Sequence, residues 1–266
     1  MKGCFFTHIK ESDTNERSIV DLGQHTPLLA KAMASQAHTL CQCCFNPNTS
    51  TELVHWSFNG TLDDISSNQR GPAIIVGSNV KLAFETSPIT GQEEGYISIR
   101  NPGFLNLPRV DVRAISFTSS FSLRLHSQPT TRQVLISNWS RGNWQYINFI
   151  EPSGLITSTL RRNMDTNGSN PDQDLVHITS SQPVPIGTWF NVSLSYNAPT
   201  RTYSIYLNGK LSGSSVIRPA VTDTTLHTSS AQYAQFGNKA DDNPDQPVGQ
   251  LNADLRNLRC FMLNVQ

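Results

Sequence analysis

Residues 53–60 read Leu-Val-His-Trp-Ser-Phe-Asn-Gly, and the rest of the chain is interpreted outward from them. Apolar and polar residues alternate here, which places Val54, Trp56 and Phe58 on one side of an extended strand. A similar alternation returns near the other end of the chain, in residues 249–263. We therefore expect these to be the first and last strands of one β domain. We also expect them to pair or to stack, so that the domain closes on itself.

The region between these two strands consists of short apolar segments separated by Gly, Pro or Asn. Asn208-Gly209 is the strongest hairpin signal among them. Many short strands with no intervening helix predict a two-layer antiparallel β-sandwich, rather than a parallel α/β fold. The further predicted strands are Ala73–Val76, Val80–Phe84, Gly95–Arg100, Val112–Leu125, Gln133–Trp139, Trp144–Ile150, Leu155–Arg161, Leu175–Thr179, Trp189–Tyr196, Thr202–Leu207, Gly213–Arg218, Gln232–Phe236 and Gly249–Leu263.

The size and charge of the chain limit what it does. All-β sandwiches of about 200 to 250 residues are often single domains, so the 266 residues are read as one domain with an N-terminal extension. The 20 basic and 20 acidic residues cancel, which leaves no basic field for nucleic acid or an anionic membrane surface. No window of about 18 apolar residues predicts a membrane span.

The N-terminal extension is assigned to residues 1–50 and the β domain to residues 51–266. One helix is predicted at about residues 26–40, because Thr26 suits the N-cap, Pro27 suits the first helical position and apolar residues follow at helical spacing. This helix is either a docking, pro-segment or targeting element, or an element that packs on the edge of the sandwich. The apolar run near Met1 is too short for a standard secretion signal, and the sequence does not indicate an oligomeric state.

The cysteines are concentrated before the β domain. Cys41, Cys43 and Cys44 are more closely spaced than the usual zinc-ligand pairs, which argues against a zinc site. Metal binding, acylation, redox chemistry and partly buried thiols are the alternatives for these residues. Cys260 is the single cysteine of the β domain. A disulfide within the sandwich is therefore excluded.

Several segments occur in an order that is informative as a set. The most specific is a tryptophan-led strand joined by a hairpin to a strand that ends in Asn-Gly. The segments are His55–Gly60, Asp63–Ser67, Val80–Glu85, Gly95–Ile99, Ile115–Leu125, Gly187–Asn197, Tyr203–Lys210 and Leu251–Leu263. From Leu53 to Leu263 the chain thereby resembles the laminin-G-like jelly rolls of the concanavalin A-like lectin and glucanase superfamily.

This resemblance implies a structural calcium ion. Domains of the superfamily often hold Ca²⁺ by oxygens from the opening strand, the loop after it and the closing strand, and Ca²⁺ takes about six to eight oxygen ligands. By position the candidate ligands are Asn59, Asp63, Asp64 and Asp254. Asn59 stands where the family usually has an acid. The alternative is that these side chains stabilise turns.

A carbohydrate site is predicted at one hairpin. Aromatic rings cover the apolar faces of sugars, while amide and guanidinium groups bind their hydroxyls. Residues 138–146 hold the best concentration of such groups, although the tryptophans would equally suit core or edge packing. The candidate ligand-binding residues are Asn138, Trp139, Arg141, Asn143, Trp144 and Tyr146.

The sequence favours binding over catalysis. It lacks the Glu-x-Asp-x-x-Glu spacing of the superfamily's glucan hydrolases. A lyase site would need His126, His177, Arg161 and Tyr146 to converge. We therefore expect a non-enzymatic, lectin-like module for a glycan or glycoprotein, whose extracellular or cell-surface role is implied by the resemblance. A polysaccharide lyase or other glycoside-active enzyme, and a protein-binding or structural laminin-G-like domain, are the alternatives.

Overall fold

The computed structural model describes residues 50–88, 90–112, 116–138, 145–161, 175–216, 231–238 and 251–263. The predicted helix at 26–40 and the cysteines before the β domain lie outside these ranges. Within them the fold is all β, with no helix. The strands are β1 (Ser50–Trp56), β2 (Ile74–Val76), β3 (Val80–Thr86), β4 (Glu93–Ile99), β5 (Phe104–Pro108), β6 (Ser116–Leu125), β7 (Gln133–Ser137), β8 (Tyr146–Ile150), β9 (Ile156–Arg161), β10 (Leu175–Thr179), β11 (Phe190–Asn197), β12 (Thr202–Leu207), β13 (Lys210–Val216), β14 (Tyr233–Phe236) and β15 (Ala253–Leu263).

The strands form two antiparallel sheets that face each other. The first, sheet A, has the order β13-β12-β11-β6-β15-β4-β3, and β1 also pairs with β15. The second, sheet B, has the order β10-β9-β8-β7-β14-β5-β2. The predicted two-layer antiparallel sandwich is thus confirmed.

The first and last strands pair directly, as the alternation at both ends of the domain predicts. In the β1–β15 register Val54 lies opposite Cys260 and Trp56 lies opposite Leu258. Val54 and Trp56 are buried, because this pairing turns them toward sheet B. β15 also pairs with β6 and β4, so the closing strand joins the two halves of sheet A.

The core lies between the inner faces of the two sheets. Along β11, Phe190, Val192, Leu194 and Tyr196 are buried and alternate with partly exposed polar residues. The strand begins at Phe190, so Trp189 lies outside this alternation. The four buried residues thereby define the inner face of sheet A, and the Trp189 side chain lies on the opposite, outer face.

Two local predictions were wrong. β5 was not predicted, because Pro102, Asn106 and Pro108 suggest a turn in a segment that is a strand between β2 and β14. Leu105 and Leu107 bury the apolar face of that strand. β1 ends at Trp56 rather than continuing to residue 60.

The chain turns directly after β1. Phe58 and Gly60 both adopt positive φ, of 60° and 87°, which is turn rather than strand geometry. Phe58 is nevertheless fully buried. Its apolar side chain was correctly assigned to the core, although its backbone was not part of the strand.

Candidate functional site

The outer face of sheet A, which points away from the core, is strongly polar. In the strand register Ser122 lies beside Asn191 on β11 and beside Arg256 on β15. Ser120 lies in the same way between Ser193 and Arg259. Small hydroxyl side chains thus form the centre of this face, and larger charged and aromatic side chains lie toward β3 and β4.

These larger side chains form a connected group that we call the arginine–tryptophan cluster. They come from β3, β4, β6, β15 and the residue before β11, so the pairing of strands distant in sequence brings them together. Most are partly exposed, which makes the cluster a surface feature held by the sheet beneath it. Its members are Glu85, Glu94, Tyr96, Arg100, Arg124, His126, Trp189, Asp254 and Arg256.

Trp189 is the centre of the cluster. The guanidinium carbons of Arg256 and Arg124 lie 4.3 Å and 4.6 Å from the centroid of its ring. Tyr96 approaches edge-on, with ring centroids 5.8 Å apart. The indole N–H donates to the Glu85 carboxylate. A large aromatic ring on a polar face is therefore fixed in orientation by cation–π, edge-to-face and hydrogen-bonding contacts.

The buried carboxylate of Asp254 holds Arg124 and Arg100 in place by ion pairs. Arg124 donates to its Oδ2 through Nε at 2.9 Å and Nη2 at 2.7 Å, and Arg100 Nη1 lies 3.3 Å from its Oδ1. His126 Nε2 lies 2.8 Å from the same Oδ1. The Asp254 side chain is only 2% exposed. Burial alone would raise the pKa of this carboxyl, but the hydrogen bonds from Arg124 and His126 outweigh that effect and lower its pKa.

The cluster also presents polar groups that the protein itself does not use. The Tyr96 hydroxyl has no hydrogen-bond partner among the described residues. Arg256 donates through Nη1 to Glu94, and its other two nitrogens face no carboxylate in that part of the chain. Donors fixed beside an aromatic ring suit a ligand that combines an apolar face with many hydroxyls.

Of the six residues predicted to bind a glycan, the structure describes two, Asn138 and Tyr146. Trp139, Arg141, Asn143 and Trp144 lie outside the described residues. Asn138 is fully buried and donates from Nδ2 to Gln145 Oε1 at 2.9 Å. Tyr146 packs against the core between the sheets. These last two side chains face the interior, so a site on this hairpin would depend on the other four residues.

The predicted calcium ligands are each held by nitrogen or hydroxyl donors. Asp64 accepts three backbone N–H groups, from His55 at 2.8 Å, Ser66 at 3.0 Å and Arg70 at 2.9 Å. Burial raises its pKa, but these bonds have the larger combined effect and lower it. Asp64 therefore serves as the anchor of the loop after β1.

The other three candidates are engaged elsewhere. Asn59 Oδ1 accepts from the Gly95 N–H at 3.2 Å, Asp63 bonds Thr61, and Asp254 lies among two arginines and a histidine. The surroundings of Asp254 do not fit a cation ligand. No group of three or more His, Cys, Asp or Glu side chains in the described ranges is arranged to hold a metal ion. Calcium binding stays a prediction from the resemblance.

The residues considered for lyase chemistry do not form one site. His126 belongs to the cluster on sheet A, while His177 is on β10 in sheet B and bonds Thr159 Oγ1 at 2.8 Å. Tyr146 faces the interior. The arrangement on sheet A is instead suited to holding a polar ligand.

Comparison with known proteins identifies the family. A laminin G family model, described as the concanavalin A-like lectin/glucanases superfamily, matches residues 95–260. The chain belongs to this superfamily. No curated protein matches it in sequence.

Solved structures share the fold of this superfamily member. Domain 4 of AbnA, a GH43 extracellular arabinanase from Geobacillus stearothermophilus in complex with arabinotriose, superposes with a TM-score of 0.54 at 16% identity, over 82% of this chain and 95% of that one. The botulinum neurotoxin serotype D binding domain gives a TM-score of 0.52 at 15% identity, over 81% of this chain and 49% of that one. A structure of botulinum neurotoxin type C, whose cell entry depends on interaction with two ganglioside molecules, gives 0.52 at 17% identity over the same shares of the two chains. This chain thus spans about half of each toxin structure.

Sequence reasoning missed the arginine–tryptophan cluster. Two signals could have indicated it. Trp189 is out of phase with the buried residues of its strand, and Asp254 lies on the polar side of the closing strand, where a charged side chain needs a partner. The partners Glu85 and Arg124 could not be found from one sequence, because they follow from the order of strands in sheet A.

Proposed function

We propose that this protein is a non-enzymatic carbohydrate-binding module and that a glycan binds on the outer face of sheet A, against the arginine–tryptophan cluster. The observation that carries the proposal is the oriented Trp189 ring, with the hydroxyl of Tyr96 and the unused donors of Arg256 beside it. Burial in the core does not account for the position of this ring, because it lies on the side of the sheet that faces away from sheet B.

The neighbouring side chains favour a saccharide over an apolar ligand. The row formed by Ser120, Ser122 and Ser193 continues from the cluster across β6 and β11. Small hydroxyl groups leave room above the sheet and offer both donors and acceptors. Two of the similar structures are described with arabinotriose or with gangliosides, which supports a saccharide for this chain as well.

Binding to a glycan array, followed by titration calorimetry with the best oligosaccharide, tests the proposal. Replacing Trp189 with Ala is expected to weaken affinity about tenfold or more, because the ring positions Arg256 and Tyr96 and the loss of one of their hydrogen bonds to the ligand costs on the order of 1–2 kcal/mol. Tyr96→Phe is expected to weaken it less, since only a hydroxyl is removed. His177→Ala, on the exposed side of β10, is the matched control and is expected to bind like the wild type.

The result also discriminates between the two proposed positions on the sandwich. Loss of binding in Trp139→Ala with Trp144→Ala, but not in Trp189→Ala, would assign the glycan to the hairpin at residues 138–146. Absence of any glycan ligand for the wild type would contradict the function itself. New reducing ends or unsaturated products after incubation with the bound glycan would show an enzyme instead of a binding module.

A further inference from the structure

The edge strands of sheet A differ in how their outward backbone groups are satisfied. On β13 the Ser212 carbonyl accepts from the Ser181 N–H, so the residues after β10 close part of that edge. On β1 the side chain of Asn68 donates to the carbonyls of Glu52 and Leu53. Strand β3, at the other end of the sheet, is seven residues long, and no described residue hydrogen-bonds its free edge. An open edge of this length is a template for another strand.

The hydrogen bonds at the two ends of β3 show which of its backbone groups point outward. Before the strand the Arg100 N–H donates to the Asn79 carbonyl at 3.0 Å, and after it the Ser87 N–H donates to the Gln92 carbonyl at 2.8 Å. Bonded and unbonded pairs alternate along an antiparallel ladder, so the odd-numbered residues of β3 bond β4. The N–H and C=O groups of the even-numbered residues therefore face the free edge.

An aromatic side chain lies partly uncovered at the same edge. Phe84 is on the inner side of β3, as are Val80 and Leu82, and its neighbour across the ladder is Gly95, which offers no side chain to pack against. Phe84 is 47% exposed, whereas Val80 is buried and Leu82 packs against the core. A strand added beside β3 would cover this ring.

The sequence of β3, Val-Lys-Leu-Ala-Phe-Glu-Thr, is complementary to itself in one antiparallel register. With Ala83 opposite its own copy, Lys81 of each chain lies opposite Glu85 of the other. The Glu85 carboxylate already accepts from Arg124, but its side chain is 25% exposed and has surface left for the lysine. The next registers that match the outward groups are shifted by two residues, and they place Lys81 opposite Ala83 or Ser87, where it has no charge partner.

We infer that β3 pairs with β3 of a second copy of this chain, which joins two copies of sheet A into one continuous sheet. In this dimer Leu82 of each chain packs against the partner's Phe84 on the inner side, and the backbones of these two residues exchange hydrogen bonds. The pairing satisfies the open edge, covers the exposed ring and balances the charge of Lys81.

The symmetry of this dimer has a consequence for the arginine–tryptophan cluster. Two antiparallel strands of one sheet are related by a two-fold axis perpendicular to the sheet, so the outer faces of both copies lie on the same side. The two clusters therefore face one direction, which makes the dimer bivalent for a surface that carries glycans. The inference itself does not depend on the proposed function, because association is measured without a ligand.

Sedimentation velocity of the full chain at increasing concentration tests the inference. We expect a reversible monomer–dimer equilibrium in the micromolar range, because pairing along one edge buries less surface than a standard interface. Lys81→Glu is expected to weaken dimerisation about tenfold, since two pairs of opposite charge become pairs of like charge. Lys210→Glu is the matched control, because Lys210 is an exposed lysine on the edge strand β13, and it is expected to dimerise like the wild type.

The variant Ala83→Cys tests the register. Ala83 lies on the two-fold axis in a pair without hydrogen bonds, where the two Cα atoms are about 4.5 Å apart, a distance that a disulfide bridges. Mild oxidation is expected to link two copies of the tryptic peptide 82–100, as detected by mass spectrometry. Lys81→Cys is the control, because this side chain is more exposed but its two copies lie about 14 Å apart in the dimer, so they are expected not to link.

Three results would overturn the inference. They are a chain that stays monomeric up to millimolar concentration, equal linkage of the two cysteine variants, and a dimer that persists in Leu82→Pro. This proline removes an outward N–H and leaves the bonds to β4 in place, which an edge strand tolerates. If Leu82→Pro does not fold, the surface change Lys81→Glu still decides, since dimerisation as strong as in the wild type would contradict the pairing.

Discussion

At the scale of single residues, Asp254 is the buried carboxylate that holds together the charged part of the arginine–tryptophan cluster. It is a carboxylate with almost no exposure, and it holds Arg124 and Arg100 by direct contacts. Removal of one member of a buried ion pair leaves the other charge without compensation, which costs more than the pair itself contributes. Asp254 is therefore expected to be essential for the arrangement of the cluster.

The substitution Asp254→Asn is expected to destabilise the protein by about 3 kcal/mol. The amide keeps the shape of the side chain but loses the charge that balances Arg124. Asp63→Asn is the control, because Asp63 is exposed and its loss is expected to change stability by less than about 0.5 kcal/mol. Urea unfolding of the two variants measures the difference. Equal stabilities would mean that the cluster contributes nothing to folding.

A second residue, His55, makes stability dependent on pH. Burial and, to a smaller extent, the charge of Arg259 lower its pKa from 6.5 to about 4, against smaller opposite effects of Asn257 and Asp64. Arg259 Nε donates to His55 Nε2 at 3.1 Å, which requires the neutral ring. As pH falls from about 6.5 toward 4, the unfolded chain binds a proton that the folded chain does not. The stability that neutral His55 contributes is therefore fully present above pH 6.5 and is lost as pH falls from 6.5 toward 4.

The loss across this window is expected to be about 2 kcal/mol, less than the full pKa shift implies because solvent reaches part of the site. Glu52, which lies 3.7 Å from the other ring nitrogen, faces the same side chain. His55→Gln keeps an acceptor for Arg259 and is expected to flatten the profile between pH 6.5 and 4. Urea unfolding at several pH values tests this. An unchanged slope in the variant would assign the pH dependence to other groups.

At the scale of elements, the junction between the turn after β1 and strand β4 is the tightest backbone contact that bears on the predicted sites. A Cβ at Gly95 would lie 2.3 Å from the carbonyl oxygen of Phe58 and 2.7 Å from the Cα of Asn59. Gly95 also donates its N–H to Asn59. Gly95→Ala is expected to destabilise the fold by about 2–3 kcal/mol, because rigid backbone must move.

Glu93→Ala in the same strand is the matched control, since Glu93 is exposed and touches no such turn. Thermal unfolding followed by circular dichroism compares the two. A Gly95→Ala protein as stable as Glu93→Ala would mean that the turn at residues 58–60 moves freely away from β4.

The elements also show what a single sequence can predict. The alternation around Val54 and Trp56 identified the buried face of β1 correctly, because every second residue of a half-buried strand faces the core. β5 was not predicted because Pro102 before it and Pro108 at its end suggest a turn. Trp189 is out of phase with the buried residues of β11, but its partners come from strands that lie one to four positions away in sheet A. Such neighbours depend on strand order, which the local pattern does not contain.

At the scale of the whole molecule, closure of the sandwich depends on β1. It forms hydrogen bonds only with β15 among the described strands, and it supplies Val54 and Trp56 to the core. The boundary predicted from the sequence places the extension before this strand. Since β1 begins at Ser50, a chain that starts at residue 49 is expected to retain the thermal unfolding of the full chain.

A chain that starts at residue 58 lacks β1 and is expected to lose about 5 kcal/mol or more, because two large apolar side chains and a row of backbone hydrogen bonds disappear together. A loss of this size approaches the whole stability of an ordinary domain, so this shorter chain is expected to expose its core and bind hydrophobic dyes. Light scattering of the chain that starts at residue 49, compared with the full chain, also shows whether residues 1–48 contribute to assembly. If the chain from residue 49 unfolded as readily as the chain from residue 58, the stabilising contacts would belong to the extension and not to the pairing of β1 with β15.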